Sequence, residues 1–159
     1  MAVMNNTAVN ADGHLTIGGC DTVELAAAYG TPLYVMDEMT ILRALRDFKQ
    51  TIESCYPQGG MVAYASKACA FKEMYRLVKQ VGCGIDVVSG GELYTAMQVE
   101  FPAERIYFHG NNKSDEELRM ALDYGVGRVV ADNHEELLRL SAMAWERGQT
   151  AAVYLRITP

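Results

Sequence analysis

Lys67 follows an apolar run, Val62-Ala63-Tyr64-Ala65-Ser66, of the kind that forms a buried strand. A primary amine at the end of such a strand can hold a carbonyl compound as a Schiff base if its surroundings lower a pKa that starts near ~10.4. A lysine that merely carries a strand end into water fits the same residues. One strand later Asp86 interrupts the apolar Gly84-Ile85-Asp86-Val87-Val88. A carboxylate in a buried-type strand is costly unless a cation faces it. Lys67 is one expected partner, and the similarly placed Arg156 of Tyr154-Leu155-Arg156-Ile157 is another. An aspartate turned to solvent is the alternative.

Two loops add polar groups. His109 opens His109-Gly110-Asn111-Asn112-Lys113-Ser114, and an imidazole there suits stacking on a flat ring, proton transfer or a bond to a loop carbonyl. Ser89-Gly90-Gly91-Glu92 has the bare backbone and helix-start position that attract a phosphate or carboxylate. A loop with unusual dihedrals would call for the same two glycines. His14 and His134 read as surface residues.

These groups need elements to position them. Strands are predicted at Val62–Ser66, Gly84–Val88, Arg105–Phe108, Arg128–Ala131 and Ala152–Ile157, with starts 21 to 24 residues apart. Between them 71–81, 90–99, 115–124 and 134–147 carry apolar residues at helical spacing. Ser89, Ser114 and Asn133 stand at cap positions, the last two with a glutamate three residues on, and Gly82, Gly125 and Gly148 mark the ends. This is a βα repeat with parallel strands. Before it, His14–Ile17 reads as a strand, Thr22–Tyr29 as a short helix and Leu33–Met36 as another strand. Asp37 then caps a helix that buries Leu42, Leu45, Phe48 and Ile52.

A doubly wound sheet would normally place a glycine-rich phosphate turn after its first strand, where this chain has Ser66-Lys67-Ala68-Cys69. A (β/α)8 barrel displays its chemistry at the C-terminal strand ends, where the polar residues collect. The α/β fold expected is therefore a partial barrel of about five βα units. Five strands do not close a barrel, and Thr158-Pro159 directly follows a strand, so the chain is expected to be a piece of something longer. By itself it should aggregate or stay molten.

Composition narrows the partners. Half the residues are hydrophobic, enough for a core, and the net charge of −6 offers no footprint for nucleic acid or an anionic membrane. Cys20, Cys55, Cys69 and Cys83 form no metal or redox spacing. With no leader-like start and no apolar span, a cytoplasmic protein is expected.

Taken together, Tyr64-Ala65-Ser66-Lys67-Ala68 resembles the cofactor-lysine motif of the fold-type III pyridoxal-phosphate (PLP) enzymes, the alanine racemase-like group of amino-acid decarboxylases. Gly30-Thr31-Pro32-Leu33-Tyr34-Val35, Asp86-Val87-Val88-Ser89-Gly90-Gly91-Glu92-Leu93 and the run from His109 to Ser114 are similar to its diaminopimelate branch. The resemblance extends from about Leu15 to Pro159. It implies that 31–159 is an incomplete PLP-binding barrel and that 1–30 is an extension contributing to a β-domain. It implies PLP as cofactor, with Lys67 as the Schiff-base lysine, Asp86 and Arg156 beside cofactor and lysine, His109 near the ring, and Tyr64 helping to position the lysine. Ser66 replaces a more usual valine, and Cys69 a more usual asparagine. The implied activity of the full-length protein is decarboxylation of meso-diaminopimelate to L-lysine by a homodimer. The alternatives are an ornithine, arginine or carboxynorspermidine decarboxylase, a racemase, or a silent truncated homologue that acts by pairing. The phosphate-gripping residues of the family would lie beyond Pro159, so this chain alone is expected to hold PLP weakly and to be inactive.

Overall fold

Short β-branched and aromatic runs, each followed by a helix long enough to carry the chain back, dictate parallel pairing after residue 60. The computed structural model describes residues 6–157. Met1–Asn5 and Thr158–Pro159 lie outside the described residues, and with them the expectation drawn from the chain's end. The chain divides into two compact units, Met1–Phe48 and Lys49–Pro159.

In the first unit β1 (Thr7–Val9), β2 (Leu15–Ile17) and β3 (Cys20–Asp21) form an antiparallel sheet in that order. Helix α1 (Thr22–Tyr29) follows, capped by Asp21, whose side chain accepts from the Val23 and Glu24 N–H groups. His14 is more than a surface residue. Its Nδ1 lies 2.9 Å from Asp21 Oδ2, and that bond leads the causes holding the Asp21 carboxyl below its usual range. Leu33–Met36, expected as a strand, enters neither sheet, because a lone extended segment has no ladder to join. Asp37 does cap α2 (Glu38–Cys55), accepting from the Met39 N–H at 3.3 Å and from the Thr40 hydroxyl. Leu42 and Leu45 are buried as expected, whereas Phe48 is exposed.

The second unit carries the repeat. Strands β4 (Ala63–Ala65), β5 (Gly84–Val87), β6 (Ile106–Phe108), β7 (Arg128–Ala131) and β8 (Val153–Leu155) are all parallel, in the order β4-β5-β6-β7-β8. Helices α3 (Lys72–Val81), α4 (Gly90–Gln98), α5 (Asp115–Tyr124) and α6 (His134–Glu146) lie between them. A doubly wound sheet reverses its order at a switch point; this one never does. It is a partial (β/α) barrel of five successive units.

Register assigns the faces. Ile85 pairs with Ile106, and Val87 with Phe108, which pairs with Val129. These residues are almost fully buried together with Ala131, as are Tyr75, Val78, Leu93, Leu118 and Leu140 of the helices. Burying each large side chain contributes about 1.5–3 kcal/mol. The other face follows the pairs Ala65–Asp86, Asp86–Tyr107 and Tyr107–Arg128. Continued to the strand ends, its period of two includes Val88, His109, Val130 and Arg156.

The helices end as expected, with Gly82 and Gly125 in the left-handed conformation. Ser114 forms a reciprocal capping box with Glu117. Asn133 accepts from the Glu136 N–H, but Glu136 does not reach back. Gly127 serves a different purpose, since a Cβ there would lie inside the van der Waals shell of the Glu104 carbonyl oxygen. Backbone cannot yield as a side chain does, so Gly127→Ala is expected to destabilise by about 2–3 kcal/mol. Gly91→Ala, which meets only Ser89 Oγ at 3.9 Å, should cost little. Urea denaturation of the two variants measures the contrast.

Candidate functional site

The polar face ends in a cavity of about 360 Å³ whose lining includes Lys67, Asp86, His109 and Arg156, with Val88, Gly110, Asn111 and Val130. All four residues singled out from the sequence converge there.

Lys67 lies just past β4, in a 3-10 turn, Ser66–Ala68, with its side chain exposed. Two anchors set the turn. The buried Ser66 Oγ is 2.6 Å from the Asp86 carbonyl oxygen and 2.6 Å from Glu92 Oε2. The Tyr64 hydroxyl donates to the Cys69 carbonyl at 3.4 Å. Tyr64 thus steadies the loop that carries the lysine, and burial raises its phenol pKa.

Asp86 points from the middle of the sheet into the cavity. Its Oδ1 is buried without a hydrogen-bond partner, and His109 Nδ1 is 3.6 Å away, beyond hydrogen-bond range. Burial is the largest influence and pushes the carboxyl pKa up. His109 and Lys67 pull it down, and Glu92 adds to the rise. Arg156 corrects one expectation. Its Nη1 donates to Asp132 Oδ1 at 2.9 Å rather than to Asp86. Ala131 is in register with Leu155, so the next residues, Asp132 and Arg156, are neighbours.

Gly90, at the start of α4, has another explanation than either one weighed above. The Gly90 N–H donates to Glu117 Oε1 at 2.6 Å, and a Cβ on Gly90 would lie 2.9 Å from Glu117 Cγ. Neither Gly90 nor Gly91 has positive φ. The anion at this helix start is the chain's own Glu117, while Glu92 Oε2 accepts from the Val88 N–H at 2.8 Å.

Sequence reasoning missed Lys113 and Glu136, a buried ion pair at 2.7 Å behind the cavity wall. A signal did exist in the repeat length. Residues about one repeat apart sit on adjacent units, as in the pairs Asp115–Arg139, Asp123–Arg147 and Asp132–Arg156, each 24 apart.

The cavity thus brings an amine, a carboxylate with one buried unpartnered oxygen, an imidazole and a guanidinium together at parallel strand ends. Residues 38–159 match the family of the pyridoxal-dependent decarboxylases over its pyridoxal binding domain, and the chain belongs to that family. It is 52% identical over 150 residues to the diaminopimelate decarboxylase of Bacillus subtilis, a match covering 94% of this chain and 34% of that one. The Halalkalibacterium halodurans enzyme of the same name is 51% identical over 95% of this chain and 34% of its own length. The crystal structure of diaminopimelate decarboxylase from M. jannaschii in co-complex with L-lysine superposes with a TM-score of 0.89 at 37% identity, covering 100% of this chain and 37% of that one. The chain spans about a third of the length of the curated relatives it matches.

The family's cofactor, PLP, carries an aldehyde that an amine can take up, and the residues present fit it to that extent: Lys67 shares the cavity with Asp86, whose Oδ1 is buried without a partner. Because the folded-state pKa of Asp86 is raised, the folded protein binds this proton more tightly than the unfolded chain. The group therefore favours folding below the ordinary carboxylate range and opposes it once pH passes the folded pKa. Asp86→Asn is expected to melt higher than the parent at pH 7, with the gain shrinking as pH falls toward about 4. Thermal melts across that range check it.

Proposed function

We propose that the whole protein containing this chain is a diaminopimelate decarboxylase, which removes one carboxylate from meso-diaminopimelate as carbon dioxide and leaves L-lysine. The observation that carries the reading is the convergence of Lys67, Asp86, His109 and Arg156 on one cavity, in a chain half identical to enzymes of that name.

In this reading Lys67 is the amine that holds the cofactor and yields it to the amino group of the substrate. PLP supplies an electron sink for the pair left behind by the departing carbon dioxide. The chain's own groups orient and regulate charge. Asp86 Oδ1 presents negative charge at the floor of the cavity, and His109 balances it from the adjacent strand end. Arg156, held by Asp132, keeps a cation at the rim. Lys67 Nζ, once free, is placed to move a proton within the cavity. The tethering of the Ser66–Ala68 turn keeps that amine at the strand end throughout.

The same reading places the PLP barrel from residue 31, with 1–30 as the β-domain extension, in a cytoplasmic homodimer whose partner is an amino-acid substrate rather than nucleic acid or membrane. The acidic balance of the chain supports the small-molecule partner over nucleic acid, and among the described residues no helix is long and apolar enough to cross a membrane.

The whole protein incubated with PLP and reduced with borohydride should carry the cofactor on the Lys67 peptide, and Lys67→Ala should lose the label. Label on Lys72, Lys79 or Lys113 instead overturns the assignment. Carbon dioxide release should be seen with meso-diaminopimelate and not with ornithine or arginine; the reverse preference assigns a different decarboxylase.

A further inference from the structure

Lys113 and Glu136 are buried, with side chains 1% and 0% exposed, yet neither lines the cavity. Lys113 Nζ donates to Gly110 O at 2.8 Å, to Val130 O at 2.8 Å and to Glu136 Oε1 at 2.7 Å. An ammonium has three N–H bonds, and all three are used. The two carbonyls belong to residues of the cavity wall. Gly110 directly follows His109, adopts a φ of +118°, and packs so that a Cβ would lie 3.2 Å from the Val88 carbonyl oxygen. From outside, Arg139 Nη2 donates to the Lys113 carbonyl at 3.2 Å. One cation therefore joins the exit of β6, the end of β7 and the first turn of α6.

A buried ion pair is a poor source of stability, since apolar residues of similar volume often serve as well or better. Glu136 Oε2 is in addition buried without a hydrogen-bond partner. What this pair supplies is geometry. We infer that Lys113 is a positioning residue for the cofactor cavity. Its ammonium fixes the Gly110 and Val130 carbonyls and so holds His109 across from Asp86, while Glu136 is the counter-charge that lets the ammonium stay buried. The inference rests on the reading of the cavity as the PLP site.

The test uses the whole PLP-loaded protein and three changes. Lys113→Met alone leaves Glu136 buried without its cation and should lower the melting temperature sharply. Lys113→Met with Glu136→Leu removes both charges and should regain most of that loss. This double variant should still bind PLP at least ~10-fold more weakly, as expected when a supporting contact behind a ligand site is lost. It should also lose most of the circular dichroism induced in the bound cofactor. Glu136→Gln retains the acceptor for Lys113, so it should lower stability while weakening PLP binding less than about threefold. Cofactor affinity that simply follows melting temperature across the series overturns the inference, as does a double variant with parental affinity and dichroism. If the double variant does not fold, native acylation of the parent decides: Lys113 should be protected, and labelling as fast as the exposed Lys72 overturns the inference. Borohydride labelling of Lys67 in the parent separates the two readings. Its failure removes the cofactor assignment and this inference with it; its success beside a parental double variant removes the positioning role alone.

Discussion

In a parallel sheet, register ties each residue to its neighbours across the hydrogen bonds, and here that constraint organises everything else. Once Ile85 is opposite Ile106, the period of two places Asp86 on the face opposite the helix-covered core. Tyr107 and Arg128 must share that face. A slip of one residue would turn Asp86 onto the core face beside Ile106 and Phe108 and bring Val87 to the cavity face. The apolar pattern of the strands thus selects which side chains can do chemistry before any of them meets a ligand.

Around that sheet, two carboxylates act as internal ligands. Glu117 accepts from the N–H groups of Gly90 and Ser114 and so joins two helix starts. Glu92 accepts from Val88 and approaches Ser66. Both satisfy backbone or hydroxyl donors that would be costly to leave unpaired. Asp86 differs because its buried Oδ1 has no donor. A group that lowers stability while facing a cavity is the usual trade between stability and function.

Much of this was legible before the fold was known. The βα repeat and its helix caps followed from periodicity, and the place of polar residues at strand ends put Lys67, Asp86 and Arg156 near one another; only the resemblance to the PLP enzymes gathered His109 with them around one ligand. Arg156 was matched to the wrong acid because strand-level reasoning sees which ends are near but not which side chain is a register neighbour. Leu33–Met36 has strand-like residues, yet β propensity describes fit to a sheet surface and cannot supply the sheet. The glycines before α4 were read for a ligand or for dihedral freedom, whereas Gly90 yields space to a glutamate 27 residues on. Lys113 and Glu136 escaped notice because charged residues in a loop and a first helical turn ordinarily face water.

The close backbone approach at Gly127 has a counterpart at Gly84, where a Cβ would lie 2.7 Å from the Arg105 carbonyl oxygen. Both glycines sit at the entry ends of their strands, against the segment that leads into β6, and both are at the opposite end of the sheet from Lys67 and His109. Three neighbouring units, those of β5, β6 and β7, are therefore held backbone against backbone where their strands begin. A carbonyl oxygen cannot swing aside as a side chain can, so the spacing of these units at their entry ends is set by two residues that carry no side chain at all.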